Sequence, residues 1–325
     1  MSFAARHWYR LSPVSILLYP ASLVFRFLVF LRRTLYRIGV ISRHRLRVPV
    51  IVVGNLTVGG TGKTPLILAL AGALRQRGLR PGIVSRGYGG EHPGPCPVGA
   101  ADDARRAGDE PLLLAQRSGC PVWVGASRVA AARALLAAHG DCDVILCDDG
   151  LQHYGLQRDC EIAVEDERGH GNGLLLPAGP LREPAGRRVD ATVVNGPEPR
   201  PGSYRMWLRP SGFFRVGEGA GPVARSELSG KRLHAVAGIG NPDRFFAELF
   251  RMGLVFTPHP FPDHHRFGPA DLEFPDCDLV LMTEKDAVKC QHFGRRDLVA
   301  ARVDAELDPA LTELILKRIH GRASA

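Results

Sequence analysis

Residues 48–70 read VPVIVVGNLTVGGTGKTPLILAL, and the residue types in the middle of this stretch are those that hold a phosphate chain. Gly59, Gly60 and Gly62 let the backbone bend closely around an anion with successive N–H groups turned inward, and a following helix N-terminus adds positive potential. Lys63 supplies a point charge for β- and γ-phosphates, and Thr64 a hydroxyl for Mg²⁺. The run Thr57, Val58, Gly59, Gly60, Thr61, Gly62, Lys63, Thr64 departs from G-x-x-x-x-G-K-[ST] only at its first position, where Thr57 stands for glycine. A surface loop carrying GKT by chance would lack the strand before and the apolar helix after it.

Three further groups carry chemistry. Asp148 and Asp149 follow the apolar run 144–147, at the end of a strand where a doubly wound sheet places its ligand crevice. One of them is expected to hold Mg²⁺ beside Thr64, although an Asp- and Gly-rich solvated turn would look the same. Asp109 and Glu110 open an apolar helix; they are either partners of its dipole or the carboxylates that orient and deprotonate a hydroxyl acceptor. His259, His264 and His265 crowd a proline-stiffened loop, PHPFPDHHRF, and stay open between a catalytic histidine, a metal site and satisfied loop residues.

Elements that would position these groups alternate along the chain. Strands are expected at 50–53, 81–85, 121–124, 144–147, 161–164, 191–194, 233–237 and 278–282, with helices at 66–77, 112–117, 128–139 and 245–252. This rhythm predicts an α/β fold: a P-loop NTPase-like parallel-sheet domain and a smaller α/β domain. Residues 203–216 read as two short strands around a turn at Pro210, Ser211 and Gly212, a β-ribbon joining the domains. The expected division is 1–45, an N-terminal membrane-associated helical segment; 46–202, the kinase-type domain; 203–227, the ribbon; and 228–325, the smaller domain. The glycine- and proline-rich residues 86–97 read as a loop. Gly238, Ile239 and Gly240 fail the G-x-G-x-x-G spacing and read as a tight turn.

The chain has 325 residues, ordinary globular composition (45% hydrophobic, 23% charged) and a formal net charge of +9, which suits nucleic acid, an anionic membrane or a phosphorylated substrate. No nucleic-acid-binding motif supports the first, and no obligate protein partner is evident. Seven cysteines without a C-x-x-C pair fit a reducing cytosolic setting. Residues 11–40 are strongly apolar but contain Pro20 and Arg26, so a clean membrane span is not expected. Arginines 6, 10, 26, 32, 33, 37, 43, 45 and 47, with Trp8, Tyr9, Tyr19 and Tyr36, suit a helix lying in a headgroup interface. A helical hairpin packed on the core is the alternative.

Taken in order, GNLTVGGTGKTP, SRGYGG, GDEP, DDGLQH, LLPAGPLREP, FPDHHRF and TEKDAVK, spread over residues 54–289, resemble the tetraacyldisaccharide 4'-kinases of lipid A biosynthesis. Leu151 stands where that family more often has Phe, and Thr57 where it usually carries Ser or Thr. The resemblance implies transfer of the γ-phosphoryl group of ATP, with Mg²⁺, to the 4'-hydroxyl of a tetraacyl disaccharide 1-phosphate, forming lipid IVA at the cytoplasmic face of the bacterial inner membrane. It implies Asp109 as base paired with His264, Lys63 in the chemistry, Glu110 assisting Asp148, Asp149 and Thr64 at the metal, and His153, Arg182 and Glu183 lining the cleft. Asp109 and His264 fall in different domains, so hinge closure is expected to join them. A membrane-associated P-loop ATPase acting as a switch or in transport would share the loop and the aspartates but leave GDEP and FPDHH without a role.

Overall fold

The computed structural model describes residues 7–92, 94–217 and 221–321; Arg6 lies outside them. The first half runs α1 (Pro13–Arg37), β1 (Val50–Gly54), α2 (Lys63–Gln76), β2 (Pro81–Ser85), β3 (Cys96–Val98), α3 (Ala104–Ala107), α4 (Asp109–Ser118), β4 (Val122–Val124), α5 (Arg128–Ala138), β5 (Val144–Asp148), β6 (Cys160–Asp166) and β7 (Ala191–Asn195). The second runs β8 (Tyr204–Arg215), β9 (Pro222–Val223), α6 (Arg225–Leu228), β10 (Leu233–Ala237), α7 (Pro242–Arg251), β11 (Phe256–Pro260), β12 (Leu279–Thr283), α8 (Glu284–Cys290), β13 (Leu298–Leu307) and α9 (Pro309–His320).

All thirteen strands belong to one sheet, ordered β11-β10-β12-β13-β8-β7-β6-β1-β5-β2-β4-β3 with β9 on β8. Pairing is parallel except at β8–β13, β8–β9 and β3–β4. β1 is buried at every residue between β5 and β6, which is why its sequence is a β-branched run rather than an alternation. Helix α2 leaves the C-terminal end of β1 and buries Leu66, Ile67, Leu70, Ala71 and Leu74, one stripe at helical spacing. Truncating a fully buried leucine such as Leu70 to alanine is worth about 2–5 kcal/mol.

The ribbon differs from the sequence expectation. Residues 204–215 form one continuous strand instead of two, paired with β7 on one side and β13 on the other. Where a turn was expected, the register against β13 shifts: Arg302 faces Gly212 and Val303 faces Pro210, with Ser211 skipped. A bulge accommodates both a proline without an N–H and a glycine at φ 136°, so turn-type residues need not end a strand. β3, β11 and β13 were not anticipated. β11 is an edge strand containing prolines, and β3 is three residues long within the expected loop. The last helix, α9, packs Leu311, Ile315 and Ile319 into the cluster that holds Leu66 and Leu70, so the chain returns to the first half.

Helix α1 is continuous over 25 residues through Pro20, with mean hydropathy 2.1 over its most apolar 18 residues, and is long and apolar enough to cross a membrane. Pro20 is the eighth residue, so Ile16 O loses its intrahelical donor, yet the helix continues. Its polarity is inverted relative to a soluble surface helix. Ser15 and Ser22 face the body, with Ser22 Oγ donating to Leu175 O at 2.8 Å, while Leu17, Val24, Phe27, Leu28 and Phe30 are exposed.

Candidate active site

The phosphate loop is held from outside. Gly59 and Gly62 have φ of 107° and 100°, and a Cβ at Gly62 would lie 2.5 Å from Asn195 Nδ2, so only glycine fits there. Val58 N donates to Pro180 O at 2.8 Å, and Thr57 bridges Leu181. Gly59 O accepts from Asn55 Nδ2 (3.0 Å), Gly60 O from Arg168 Nη2 (2.8 Å) and Thr61 O from Asn195 Nδ2 (3.0 Å). The loop's carbonyls are thereby turned outward, and the N–H groups of Gly59, Gly60, Thr61 and Gly62 have no carbonyl partner among the described residues. Lys63 Nζ donates to Asn55 Oδ1 at 3.2 Å and lies 3.7 Å from Asp149 Oδ1.

The two aspartates at the end of β5 have opposite surroundings. Asp148 sits opposite Val53 of β1 and accepts from Ser85 Oγ at 2.8 Å, while its Oδ1 is buried with no partner among the described residues. Burial, then the charges of Glu110 and Asp149, push its carboxyl up to about 7. Asp149, at φ 46°, receives Arg182 Nη1 and Nη2 at 3.1 and 2.8 Å. Burial opposes its ionisation, but Lys63 and Arg182 outweigh that and hold it well below the usual carboxylate range.

Asp109 and His264 meet across the two halves. Asp109 begins α4, and Gly108 before it has φ 88° with a Cβ position only 2.8 Å from Tyr88 O. His264 Nδ1 lies 3.0 Å from Asp109 Oδ2, and the other carboxylate oxygen accepts from Glu110 N at 2.9 Å. Tyr88 of the SRGYGG stretch stacks edge-on against the imidazole at 5.2 Å between centroids. At Asp109 burial is outweighed by the His264 hydrogen bond and Lys285, and the carboxyl is lowered. That bond in turn raises His264, against burial and Lys285. Lys285, on α8, donates to Glu110 Oε1 at 3.0 Å.

A cavity of about 250 Å³ lies between these parts, lined by the loop from Gly60 to Thr64, by Glu110 and Lys285, and by apolar side chains of β8, β13 and α7. The second half leans on the loop: a Cβ at Gly240 would come within 2.9 Å of Gly60 N, so the Gly238–Gly240 stretch, a bend after β10, has a packing role.

Of the cleft residues, Arg182 joins the aspartate site, and His153 lies among arginines. Burial, then Arg128, Arg158, Arg32 and Arg86, push its imidazole down to about 4. Glu183 is buried in an ion pair with Arg187, with Arg33 of α1 3.8 Å away. The histidine loop resolves residue by residue: only His264 enters the site. His259 clusters with His234 and Phe274, each ring within 5.1 Å of the other two, and His265 Nε2 lies 3.1 Å from Asp271 Oδ2. Asn55, Asn195, Arg168 and Lys285 went unread. Asn55 and Lys285 stood inside motifs already noticed, whereas Asn195 and Arg168 reach the loop from positions with no local signature.

The chain matches the family model LpxK, tetraacyldisaccharide-1-P 4'-kinase, over residues 14–320. A tetraacyldisaccharide 4'-kinase from Azoarcus sp. (strain BH72) is 52% identical, covering 100% of this chain and 98% of that protein. One from Methylobacillus flagellatus is 50% identical, over 97% and 95%. A crystal structure of an "apo" form of LpxK from Aquifex aeolicus in complex with ATP superposes with TM-score 0.81 at 30% identity, over 94% of this chain and 99% of that one. The chain therefore belongs to the tetraacyldisaccharide 4'-kinases, the ATP-dependent lipid kinases of lipid A biosynthesis.

Proposed function

We propose that Asp109 removes the proton from the 4'-hydroxyl of a tetraacyl disaccharide 1-phosphate while Lys63 and the loop amides hold the phosphates of ATP. The observation that carries this reading is the 3.0 Å contact of Asp109 with His264, whose neighbours Glu110 and Lys285 line the same cavity as the phosphate loop. The hydroxyl oxygen then attacks the γ-phosphorus in line, the bond to the β-bridging oxygen breaks, and ADP leaves with that electron pair. Lys63 offsets charge on the phosphate oxygens as this happens. The apolar part of the cavity, near Phe213, Phe245 and Met252, suits the adenine ring.

Mg²⁺ fits the oxygen donors present, because Asp148 Oδ1 is a buried carboxylate oxygen without a partner among the described residues and Thr64 offers a hydroxyl at the mouth of α2. Asp149 is committed to Arg182 and Lys63, which favours Asp148 as the direct ligand, with Glu110 on the flank. An ion held there would offset charge on the phosphates of ATP.

The inverted helix α1 is read as a monotopic anchor on the cytoplasmic face of the inner membrane. A cavity of about 730 Å³ beside it is lined by Arg26, Arg33, Arg37 and Arg43, with Arg158 and Arg187 paired to Glu161 of the same lining, a net positive pattern suited to an acidic lipid headgroup. The first half, with α9 packed on it, and residues 228–307 would move about the β8–β13 ribbon, opening for the lipid and closing for transfer. Incubation of the enzyme with γ-labelled ATP, Mg²⁺ and detergent-dispersed tetraacyl disaccharide 1-phosphate should label the lipid. ATP hydrolysis with the lipid unlabelled would return the ATPase reading. Deleting residues 1–40 should reduce partition into anionic liposomes, and unchanged partition would remove the anchor.

A further inference from the structure

TEKDAVK borders the site without a part in the reaction, and most of its polar groups have plain structural duties. Thr283 caps α8 by accepting from Asp286 N, Glu284 receives Arg117 and Arg302, and Asp286 accepts from Gly238 N and pairs with Lys289. Lys285 is different. Its ammonium lies 3.0 Å from Glu110, 3.6 Å from Asp263, 3.9 Å from Asp109 and 3.4 Å from His264 Nε2.

A carboxylate–imidazole pair can run in two directions. Either the carboxylate orients an imidazole whose far nitrogen takes the proton, or the imidazole orients a carboxylate that takes it. Which one operates depends on what faces the far nitrogen. Here Nδ1 faces Asp109 Oδ2 at 3.0 Å, and Nε2 faces Lys285 Nζ at 3.4 Å. A lysine ammonium has three donors and no acceptor, so Nε2 must present its lone pair and Nδ1 must carry the hydrogen. The competing partner for an Nε2–H, Asp263 Oδ1, is 3.8 Å away and beyond hydrogen-bond reach. An imidazolium would turn an N–H toward the ammonium.

We infer that Lys285 is a positioning residue for phosphoryl transfer: by donating to His264 Nε2 it fixes the Nδ1–H tautomer, occupies the nitrogen that would otherwise act as base, and leaves Asp109 to receive the hydroxyl proton. The hydroxyl O–H bond breaks, its proton goes to a carboxylate oxygen of Asp109, and the oxygen's electron pair forms the new P–O bond as ADP departs. Asp109 then returns the proton to solvent. His264 keeps its Nδ1 hydrogen throughout. This rests on the proposed catalytic role of Asp109 and His264.

The test is histidine ¹⁵N NMR and steady-state kinetics on wild type, Lys285→Met and Lys285→Arg, full-length in detergent, with His264→Gln identifying the His264 signals. In wild type the Nδ1 resonance should be that of a protonated nitrogen and Nε2 that of an unprotonated one. Lys285→Met should mix the tautomers and lower kcat on the order of 10- to 100-fold, the range for losing a partner that orients a functional imidazole, with both KM values changed little. Lys285→Arg should restore the tautomer and part of kcat. A wild-type tautomer pattern in Lys285→Met, or a loss seen only as KM, would overturn the inference. The NMR signature does not depend on turnover. Full activity of Asp109→Asn would thus defeat the base assignment separately from the tautomer.

Discussion

Lys63 is positioned by its own half of the molecule, whereas Asp109 needs the other half. Around the phosphate loop the bracing groups Asn55, Arg168, Asn195, Asp149 and Arg182 lie between residues 55 and 195, while from the second half Arg244 donates to Asn195 Oδ1 at 2.8 Å and Gly240 packs on Gly60. Around Asp109 the orienting imidazole and the balancing ammonium come from residues 264 and 285. The proposed opening would therefore leave most of the first site's bracing in place. On the proposed hinge motion the second would form only on closure, so the proposed base would be withheld from ATP until an acceptor is enclosed.

Lys63→Ala should have the largest consequence, because it acts in both states: a fall of about 10³-fold in labelled-lipid formation, following the loss of one preorganised charge at the transferring group. ATP hydrolysis without acceptor should fall with it. Asp109→Asn should cut lipid phosphorylation on the order of 10²-fold or more, as expected for a lost general base. ATP binding, measured by equilibrium titration, should be unchanged. If Asp109→Asn weakened ATP binding as much as Lys63→Ala, the two sites would not be separate in the way drawn above.

Closure itself is addressed at Arg117 of α4, which donates to Glu284 Oε2 of α8 at 2.6 Å and also to Asp304. Both Arg117 and Glu284 are mostly buried, so the pair is stronger than a surface bridge. Arg117→Ala should weaken closing by about 1.5–3 kcal/mol, the usual worth of a charged hydrogen bond. Lipid KM should rise by roughly tenfold or more by that figure, with ATP binding to the open enzyme unaffected.

How far each site was readable in the sequence follows from the same contrast. The loop, its strand and its helix are contiguous, so glycine spacing, a β-branched run and an apolar stripe located all of them. The aspartates at the end of β5 could be found because a parallel sheet places strand ends together. The pairing of residue 109 with residue 264 has no local signature and came only through the family resemblance. The histidine loop shows why: His259, His264 and His265 are equivalent in sequence, and only the fold sends one to the carboxylate and two to Phe274 and Asp271. The ribbon misled for the opposite reason, since Pro210, Ser211 and Gly212 carry turn chemistry that a bulge uses equally well.

Two imidazoles carry the contrast into pH. His153, among arginines in the first half, has its pKa pushed down by burial and then by those charges to about 4. His264, across the closure, is raised by its bond to Asp109. The linked effects on stability have opposite sign. Between about pH 6.5 and 4 the unfolded chain protonates at residue 153 and the folded one does not, so wild type loses stability there and His153→Gln should lose less. At His264 the folded state holds its proton more tightly. Its contribution is complete below the unfolded pKa of about 6.5 and disappears as pH rises through the folded value, so His264→Gln should cost more at pH ~5 than at pH ~8. Both groups are partly exposed, so solvent screening keeps the differences small, and denaturant midpoints at the two pH values would read them. Equal shifts of the same sign in both variants would mean that the two halves do not present opposite fields to their histidines.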